Sequence, residues 1–277
     1  MAESTRLRTY YAVSRAAFRT AYGLAGLRRD VIRSNLARSF PDRSPEARRA
    51  IEHEFVLRQS ELAAEVAYAF RIGPAELRER IEITDMAPIA DAAAPRPHVV
   101  AMAHHCNFEW LLLRVSLEFG ERLLGLYKPM HSARAEAAFR RMRTRFGARL
   151  IPAKSVLQQL ARNRDVALVG LVADQVPRSS PECHWTGFLG QDTAFYMGPE
   201  LLGRALRSRV LYARMGRLER GRYRVSFEVL SEAGTKAPPG TITERYAAAL
   251  ERQIRDDPAG WWWSHKRWKL ARTAQSG

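Results

Sequence analysis

The hydrophobic pattern of this 277-residue chain changes period repeatedly through its middle part. Short apolar runs, typical of buried strands, occur at 98–103, 123–127, 149–151 and 166–172. Between them, apolar residues recur every three or four positions, which predicts helices at 108–119, 133–146 and 155–163. Strands that alternate with helices indicate an α/β fold with a mostly parallel or mixed central sheet flanked by helices.

The N-terminal part of the chain has a different pattern. Residues 6–29 carry apolar side chains at helical spacing with arginines between them, which predicts a basic amphipathic helical extension. Such a helix suits the interface of an anionic bilayer, with its arginines on lipid phosphates. An ordinary surface helix packed on the domain explains the same pattern, and the sequence leaves both interpretations open.

The remaining elements follow from cap and turn residues. Ser44 and Pro45 predict the start of a helix that ends near Phe70. The other elements, in chain order, are predicted as a helix at 75–80, a strand at 81–84, loops at 87–97 and 176–190, a helix at 198–206, strands at 209–214 and 222–230, and a helix at 243–255. We therefore divide the chain into an N-terminal helix (1–30), a single α/β domain (31–270) and a tail (271–277).

The composition indicates a strongly basic protein in a reducing compartment. The formal net charge is +16 and the pI is near 10.6, so we expect an anionic partner: nucleic acid, an anionic membrane surface or an acidic protein. The two cysteines, Cys106 and Cys183, are far apart and lie in no CxxC spacing, which indicates a reduced, cytoplasmic setting without a structural zinc.

Membrane-spanning and secretory signals are not apparent in the sequence. No apolar stretch reaches the roughly 18–20 residues that a spanning helix needs, and the N-terminus lacks the apolar core of a cleavable signal peptide. If the protein meets a membrane, we expect it to lie on the surface.

The residues that suggest chemistry follow the run at 98–103, where a strand gives way to a helix. His104 and His105 come directly after the strand, and Glu109 opens the helix. An imidazole beside a carboxylate forms a general-base dyad, because the carboxylate fixes the tautomer of the ring and stabilises its protonated form. His105 could pair with Glu109 along a helix, four residues apart, whereas His104 could do so only from the turn before the helix. One histidine could also simply cap the helix or pack in the core.

The segment from His104 to Glu109 resembles the His-x-x-Asn-Trp-Glu motif of the bacterial lipid A biosynthesis acyltransferases, in the lysophospholipid acyltransferase-like group. Phe108 stands where tryptophan is usual. Further motifs of that family match in the right order over roughly 30–270: Tyr127-Lys128-Pro129, Arg143-x3-Gly147, Ala173-Asp174-Gln175, Phe188-Leu189-Gly190, and Pro258-x-x-Trp261-x-Trp263-x-His265-x-Arg267-Trp268-Lys269.

The resemblance implies roles for individual residues. It makes His104 the general base and Glu109 the acid that orients it. It places Asn107, Lys128, Arg143, Asp174 and Gln175 at the substrate site. For the last two, anchoring of a loop beside the acyl cleft is the competing structural role; Lys128 and Arg143 could instead be ordinary surface residues. The resemblance implies no cofactor and no metal.

Neighbouring residues suggest other sites that we consider weaker. Cys106 beside the histidines suggests a Cys-His nucleophile, but we interpret it as a small residue that saves space. Cys183 and His184 lack the three or four ligands of a zinc site, and we expect them to pack in a loop over a substrate groove. In the segment 261–269, we expect most tryptophans to lie in the core with lysines and arginines at the rim.

The family resemblance implies an O-acyltransferase that moves a fatty acyl chain from a carrier thioester, acyl carrier protein or CoA, to a hydroxyl of a lipid acceptor. The acceptor would be a lipid A precursor, a lysophospholipid or a related lipid, at the cytoplasmic face of a bacterial inner membrane. No covalent acyl-enzyme and no nucleic-acid partner are implied. The alternative is a non-enzymatic basic nucleic-acid-binding protein, which the charge allows but the ordered motifs do not explain.

Overall fold

The computed structural model describes residues 5–23, 26, 28–90, 96–162, 165–177 and 183–270. Its helices are α1 Thr5–Gly23, α2 Arg29–Ser39, α3 Pro45–Tyr68, α4 Pro74–Arg80, α5 Ala87–Ala90, α6 Phe108–Phe119, α7 Ala133–Arg143, α8 Val156–Arg162, α9 Gly198–Leu206 and α10 Thr241–Asp256. Its strands are β1 Ile81–Ile83, β2 His98–Met102, β3 Leu123–Tyr127, β4 Arg149–Pro152, β5 Leu168–Val172, β6 Cys183–Phe188, β7 Gln191–Tyr196, β8 Val210–Glu219 and β9 Arg222–Ser231. Short 3₁₀ turns occupy Gly120–Arg122, Ala153–Ser155 and Pro258–Gly260.

The predicted α/β class is confirmed. A seven-stranded sheet has the order β1-β9-β8-β2-β5-β3-β4, and its five strands from β8 to β4 are mutually parallel. β9 runs antiparallel to β8, and β1 is parallel to β9, so the sheet is mixed at one edge. The central strands have continuous apolar sequences because parallel strands are buried on both faces of a sheet.

The predicted N-terminal extension contains one helix, α1, and α2 begins only at its end. α1 ends at Gly23 and α2 begins at Arg29, so the prediction of one helix over 6–29 is wrong at its C-terminal end. Leu7 and Tyr11 of α1 are buried against the body of the protein, whereas Val13 is exposed. The helix therefore packs on the domain along one face. In the described residues, no helix is long and apolar enough to cross a membrane.

The cap residues correctly predicted the start of α3. The Ser44 hydroxyl accepts a hydrogen bond from the Ala47 N–H, and Pro45 is the first helical residue of α3, as predicted. The predicted loop at 87–97 contains the short α5, and its residues 91–95 lie outside the described residues, as does the tail 271–277.

A second, two-stranded sheet replaces part of the predicted loop at 176–190. β6 and β7 pair as an antiparallel hairpin through a two-residue turn, Leu189 and Gly190, both with positive φ. Such turns match the twist of the flanking strands. The loop prediction over 183–188 is therefore wrong, because the run lacks the clean apolar alternation of a half-buried strand.

The two faces of the large sheet carry separate cores. Val99 and Ala101 of β2 pack on one face with α10 and with Leu202 of α9. Val100 packs on the other face with Leu111 and Leu113 of α6. The helix after β2, α6, therefore covers one face of the sheet. The helix that follows β5 and the hairpin, α9, covers the other face. Since β2 and β5 are neighbours, a crevice opens at their carboxyl ends, where open α/β sheets bind ligands.

Candidate active site

His104 lies at this crevice, between the end of β2 at Met102 and the start of α6 at Phe108. The expectation that it stays outside the helix is confirmed. Its backbone N–H donates to Asp174 Oδ2 at 3.0 Å, which fixes the turn against the second residue after β5. The ring packs edge-on to Phe108 and lies 4.8 Å, centroid to centroid, from the partly exposed ring of Trp262.

The imidazole pairs with Asp174. His104 Nδ1 lies 2.6 Å from Asp174 Oδ1, and the Trp261 indole N–H donates to Asp174 Oδ2 at 2.8 Å. The carboxylate is 3% exposed. Burial by itself would raise the pKa of Asp174, but the charge of His104 and the hydrogen bonds from His104 and Trp261 outweigh it and lower the pKa to about 2.

This contact fixes the tautomer of the ring. An ionised carboxylate only accepts hydrogen bonds, so Nδ1 carries the proton and Nε2 of neutral His104 is left with a free electron pair. The amide of Gln175 lies 3.4 Å from Nε2, at the mouth of a groove that both side chains line. In this arrangement Nε2 of His104 can accept a proton while Asp174 holds the ring in place.

The structure pairs His104 with Asp174 and not with Glu109. Glu109 forms a bidentate ion pair with Arg143 of α7, from Nε to Oε2 at 2.8 Å and from Nη2 to Oε1 at 2.5 Å. A residue five positions after His104 points around the first turn of α6 towards α7. Asp174 occupies the competing place because β2 and β5 pair in parallel with Met102 opposite Val172, so the residues two positions further meet.

The other predicted substrate residues separate into two groups. Lys128, Arg143 and Gln175 line the groove. Asn107 does not: it is 0% exposed, its Oδ1 caps α6 by accepting from Trp110 N–H, and its Nδ2 donates to Glu65. Asp174 is buried behind His104. Asn107 contacts the turn before α6 and Asp174 contacts the ring of His104, and the substrate-binding role of both stays a prediction.

His105 is part of the core. It is buried, with Nε2 3.1 Å from the Asp257 carbonyl oxygen and Nδ1 2.9 Å from the Gln253 amide. Burial lowers the pKa of His105 and keeps its ring neutral. The rival His105–Glu109 pair is not formed. Cys106 adopts a positive φ of 55° in the same turn, and burial raises the pKa of its thiol, which opposes a nucleophilic role.

Potential metal ligands come together at one place in the described residues. Atoms of His105, Cys106 and Asp257 lie within 4.8 Å of one another. The Arg58 guanidinium is 2.6 Å from Asp257 Oδ1, and both its charge and the protonated thiol oppose a cation there.

His184, predicted to pack over a substrate groove, instead lies on β6 with Nε2 2.8 Å from Glu244 Oε1 of α10.

The C-terminal segment builds the back wall of the site. Trp261 and Trp263 are buried, as predicted. The expectation of a rim position is wrong for Arg267, which is buried with Nη2 donating to the Ala194 carbonyl at 2.7 Å. Trp262 is exposed and lines the groove beside His104. Sequence reasoning missed the contacts of Trp261 and Trp262 with the site; their place in the closing Trp-x-Trp motif was the available signal.

The groove itself is large and apolar. It encloses about 700 Å³ and is walled mainly by aliphatic side chains from β2, β3, β5, α6, α8 and α9. Its polar lining residues are His104, Glu109, Lys128, Arg143 and Gln175. An apolar cavity with a few convergent polar groups is the usual form of a site for a small, largely apolar ligand.

Comparison with known proteins gives one finding that bears on this site. The model of a family described as bacterial lipid A biosynthesis acyltransferase matches residues 6–270. No curated protein matches the chain significantly. The matched span includes every residue of the site described above.

Proposed function

The chain belongs to the bacterial lipid A biosynthesis acyltransferase family, and we propose that it transfers a fatty acyl group from a carrier thioester to a hydroxyl of a lipid acceptor, with His104 as general base. The observation that carries this proposal is the Asp174–His104 pair at the mouth of an apolar groove. The groove supplies a place for an acyl chain, and the pair supplies the base that the acceptor hydroxyl needs.

In the proposed reaction, Nε2 of His104 takes the proton of the acceptor hydroxyl as its oxygen attacks the thioester carbonyl. The C–O bond forms, the C–S bond breaks, and the proton passes from His104 to the departing thiolate. Asp174 stays ionised and stabilises the imidazolium that exists between these two proton transfers. No acyl-enzyme is needed, which accords with the raised pKa of the Cys106 thiol.

The positive charge of the protein is consistent with two anionic partners, the acyl donor and the acceptor lipid. Lys128 lines the mouth of the groove, where it would meet phosphate groups of the donor or of the acceptor headgroup. Arg143 is neutralised by Glu109, so we assign this pair to shaping the mouth and positioning polar groups of the substrate. The net charge of +16 would attract an acidic carrier protein or CoA as donor.

We place the protein at the cytoplasmic face of the inner membrane as a peripheral protein. The acceptor is a membrane lipid in this proposal, whether a lipid A precursor, a lysophospholipid or a related lipid. A non-enzymatic nucleic-acid-binding protein would account for the charge. It leaves the Asp174–His104 pair and the apolar groove without a role, so we do not favour it.

A substitution of His104 tests the proposal. Purified protein is incubated with palmitoyl thioesters of acyl carrier protein and of CoA and with a bacterial lipid extract, and acylated lipids are detected by mass spectrometry. We expect His104→Ala to lower kcat about 10²- to 10⁴-fold, the usual contribution of a general base.

The exposed His53 on α3 offers a matched control, and His53→Ala should retain full activity. Transfer by His104→Ala at the wild-type rate would exclude the mechanism. Retention of DNA at physiological salt, without acyl transfer by the wild type, would favour the alternative function instead.

A further inference from the structure

The groove at His104 extends over both faces of the sheet. On one face, its walls are Val100, Leu123 and Leu168, which pack with α6. On the other face, they are Leu171, Leu202 and Val156, which belong to the opposite core. The two parts, here called the inner lobe and the outer lobe, meet at the strand ends beside His104. The groove has two lobes because the helices that follow β2 and β5 cover opposite faces of the sheet, and a crevice opens between these two strands.

The two lobes differ in how much solvent they meet. The three wall residues named above for each lobe are buried. The outer lobe also contains Leu157 of α8, Leu201 of α9 and Tyr196 of β7, which are 54%, 40% and 39% exposed. Large apolar side chains exposed side by side mark a surface that binds an apolar partner.

We propose, on the basis of the function proposed above, that the outer lobe binds the alkyl chain of the acceptor lipid while the inner lobe holds the acyl chain of the donor. A transfer reaction must bring two substrates to His104 from different directions, and the two lobes approach it from opposite faces. The enclosed inner lobe fits a chain drawn completely from a soluble carrier. The open outer lobe fits a chain that a membrane lipid withdraws only partly from its bilayer.

This assignment restricts the compounds that can serve as acceptor. Its reactive hydroxyl must be close enough to an alkyl chain for both to reach the site together, because the outer lobe and His104 belong to one groove. Free sugars and water-soluble headgroups without a chain would lack that binding contribution. We therefore expect poor acceptors among compounds that present the same hydroxyls without an apolar chain.

Photolabelling tests the outer lobe without relying on turnover. The probe is dodecyl maltoside with a diazirine near the chain end, used below its micellar concentration. The competitor is the hexadecyl thioether of pantetheine, the arm common to CoA and acyl carrier protein. We expect saturable labelling of peptides within 153–162 and 196–206 that persists when the thioether suppresses labelling of peptides within 108–127.

A matched pair of leucines provides the control. Leu201→Asp should reduce outer-lobe labelling at least fivefold and raise the KM for lipid about tenfold with little change in kcat or in the KM for the donor. Leu218→Asp, at an exposed leucine of β8 away from the groove, should change none of these. Both positions are exposed, so folding should tolerate the charge.

Two results would overturn the assignment. Displacement of the label from both lobes together by the thioether would mean that one donor chain fills the whole groove. Absence of saturable labelling at α8 and α9 would mean that the exposed leucines bind no lipid chain. Failure of the proposed function is separate, because it appears as an absence of acyl transfer by the wild type whatever the labelling pattern.

Discussion

Single residues decide how two buried carboxylates near His104 are used. Asp174 accepts from the imidazole and from Trp261, whereas Glu109 is bound on both oxygens by Arg143. Each carboxylate thus has a cationic or polarised partner that balances the cost of its burial. The two should therefore respond differently to the same chemical change, from carboxylate to amide.

We expect Asp174→Asn to lower kcat by about 10²-fold or more, because an amide no longer selects the Nδ1–H tautomer or stabilises the imidazolium. Glu109→Gln should lower kcat by less than about tenfold, since it weakens a pairing with Arg143 and leaves His104 unchanged. Steady-state kinetics of the transfer reaction measures both. Equal losses in the two variants would contradict the assignment of Asp174 as the orienting acid.

The lowered pKa of Asp174 also predicts a dependence of stability on pH. Its pKa falls from the usual value near 3.8 to about 2 in the folded protein. The folded state therefore binds fewer protons between these values, so the contribution of Asp174 is complete above about pH 4 and is lost as the pH falls towards 2. The magnitude is about 2 kcal/mol.

Urea denaturation of the wild type and Asp174→Asn at several pH values measures this effect. The free energy of unfolding of the wild type relative to the variant should decline between pH 4 and pH 2. A difference that stays constant over this range would show that Asp174 has an ordinary pKa.

At the scale of elements, a buried carboxylate joins α1, α3 and the turn before α6. Glu65 of α3 accepts hydrogen bonds from Tyr11 of α1 at 2.8 Å, from Asn107 at 2.7 Å and from Tyr223 of β9 at 2.7 Å. Burial raises the pKa of Glu65, and these hydrogen bonds oppose that effect. The N-terminal helix is thus connected to the turn that carries His104 through the side chains of Tyr11, Glu65 and Asn107.

We expect Tyr11→Phe to destabilise the protein by about 1–3 kcal/mol, the usual cost of removing a buried hydrogen bond to an ionisable acceptor. Chemical denaturation measures the change. Tyr10→Phe, at a neighbouring tyrosine that packs edge-on against Tyr68, is the control and should cost less than about 0.5 kcal/mol. Equal effects of the two variants would mean that the Tyr11 hydroxyl contributes nothing specific to the docking of α1.

At the scale of the whole molecule, the positive charge predicts how the protein meets a membrane. With a net charge of +16, we expect binding to vesicles of phosphatidylglycerol and phosphatidylcholine at low salt, at about 1 kcal/mol for each lysine or arginine near the surface. The binding should weaken strongly as added salt shortens the Debye length.

Sedimentation with vesicles at low and high salt measures this binding, and vesicles of phosphatidylcholine alone are the control. Binding that is insensitive to salt and to anionic lipid would contradict an electrostatic attachment. It would indicate that apolar contacts, including those of the outer lobe, are sufficient.

The sequence by itself determined what depends on local order along the chain. The apolar runs of β2 and β5 predicted buried strands, Ser44 and Pro45 predicted the start of α3, and the position of His104 predicted a base between a strand and a helix. Each of these rests on residues a few positions apart, where backbone periodicity and capping control the conformation. The hairpin β6–β7 escaped prediction because its strands lack that periodicity.

Only the tertiary structure decided the partners of the site. His104 and Asp174 are 70 positions apart and meet because β5, rather than β3, lies beside β2. Strand order in a parallel sheet depends on which helices pack on which face, and no local pattern records that packing. The groove has lining residues on both faces of the same sheet. The sequence thus predicted His104 as the base, while the order of the strands placed Asp174 beside it.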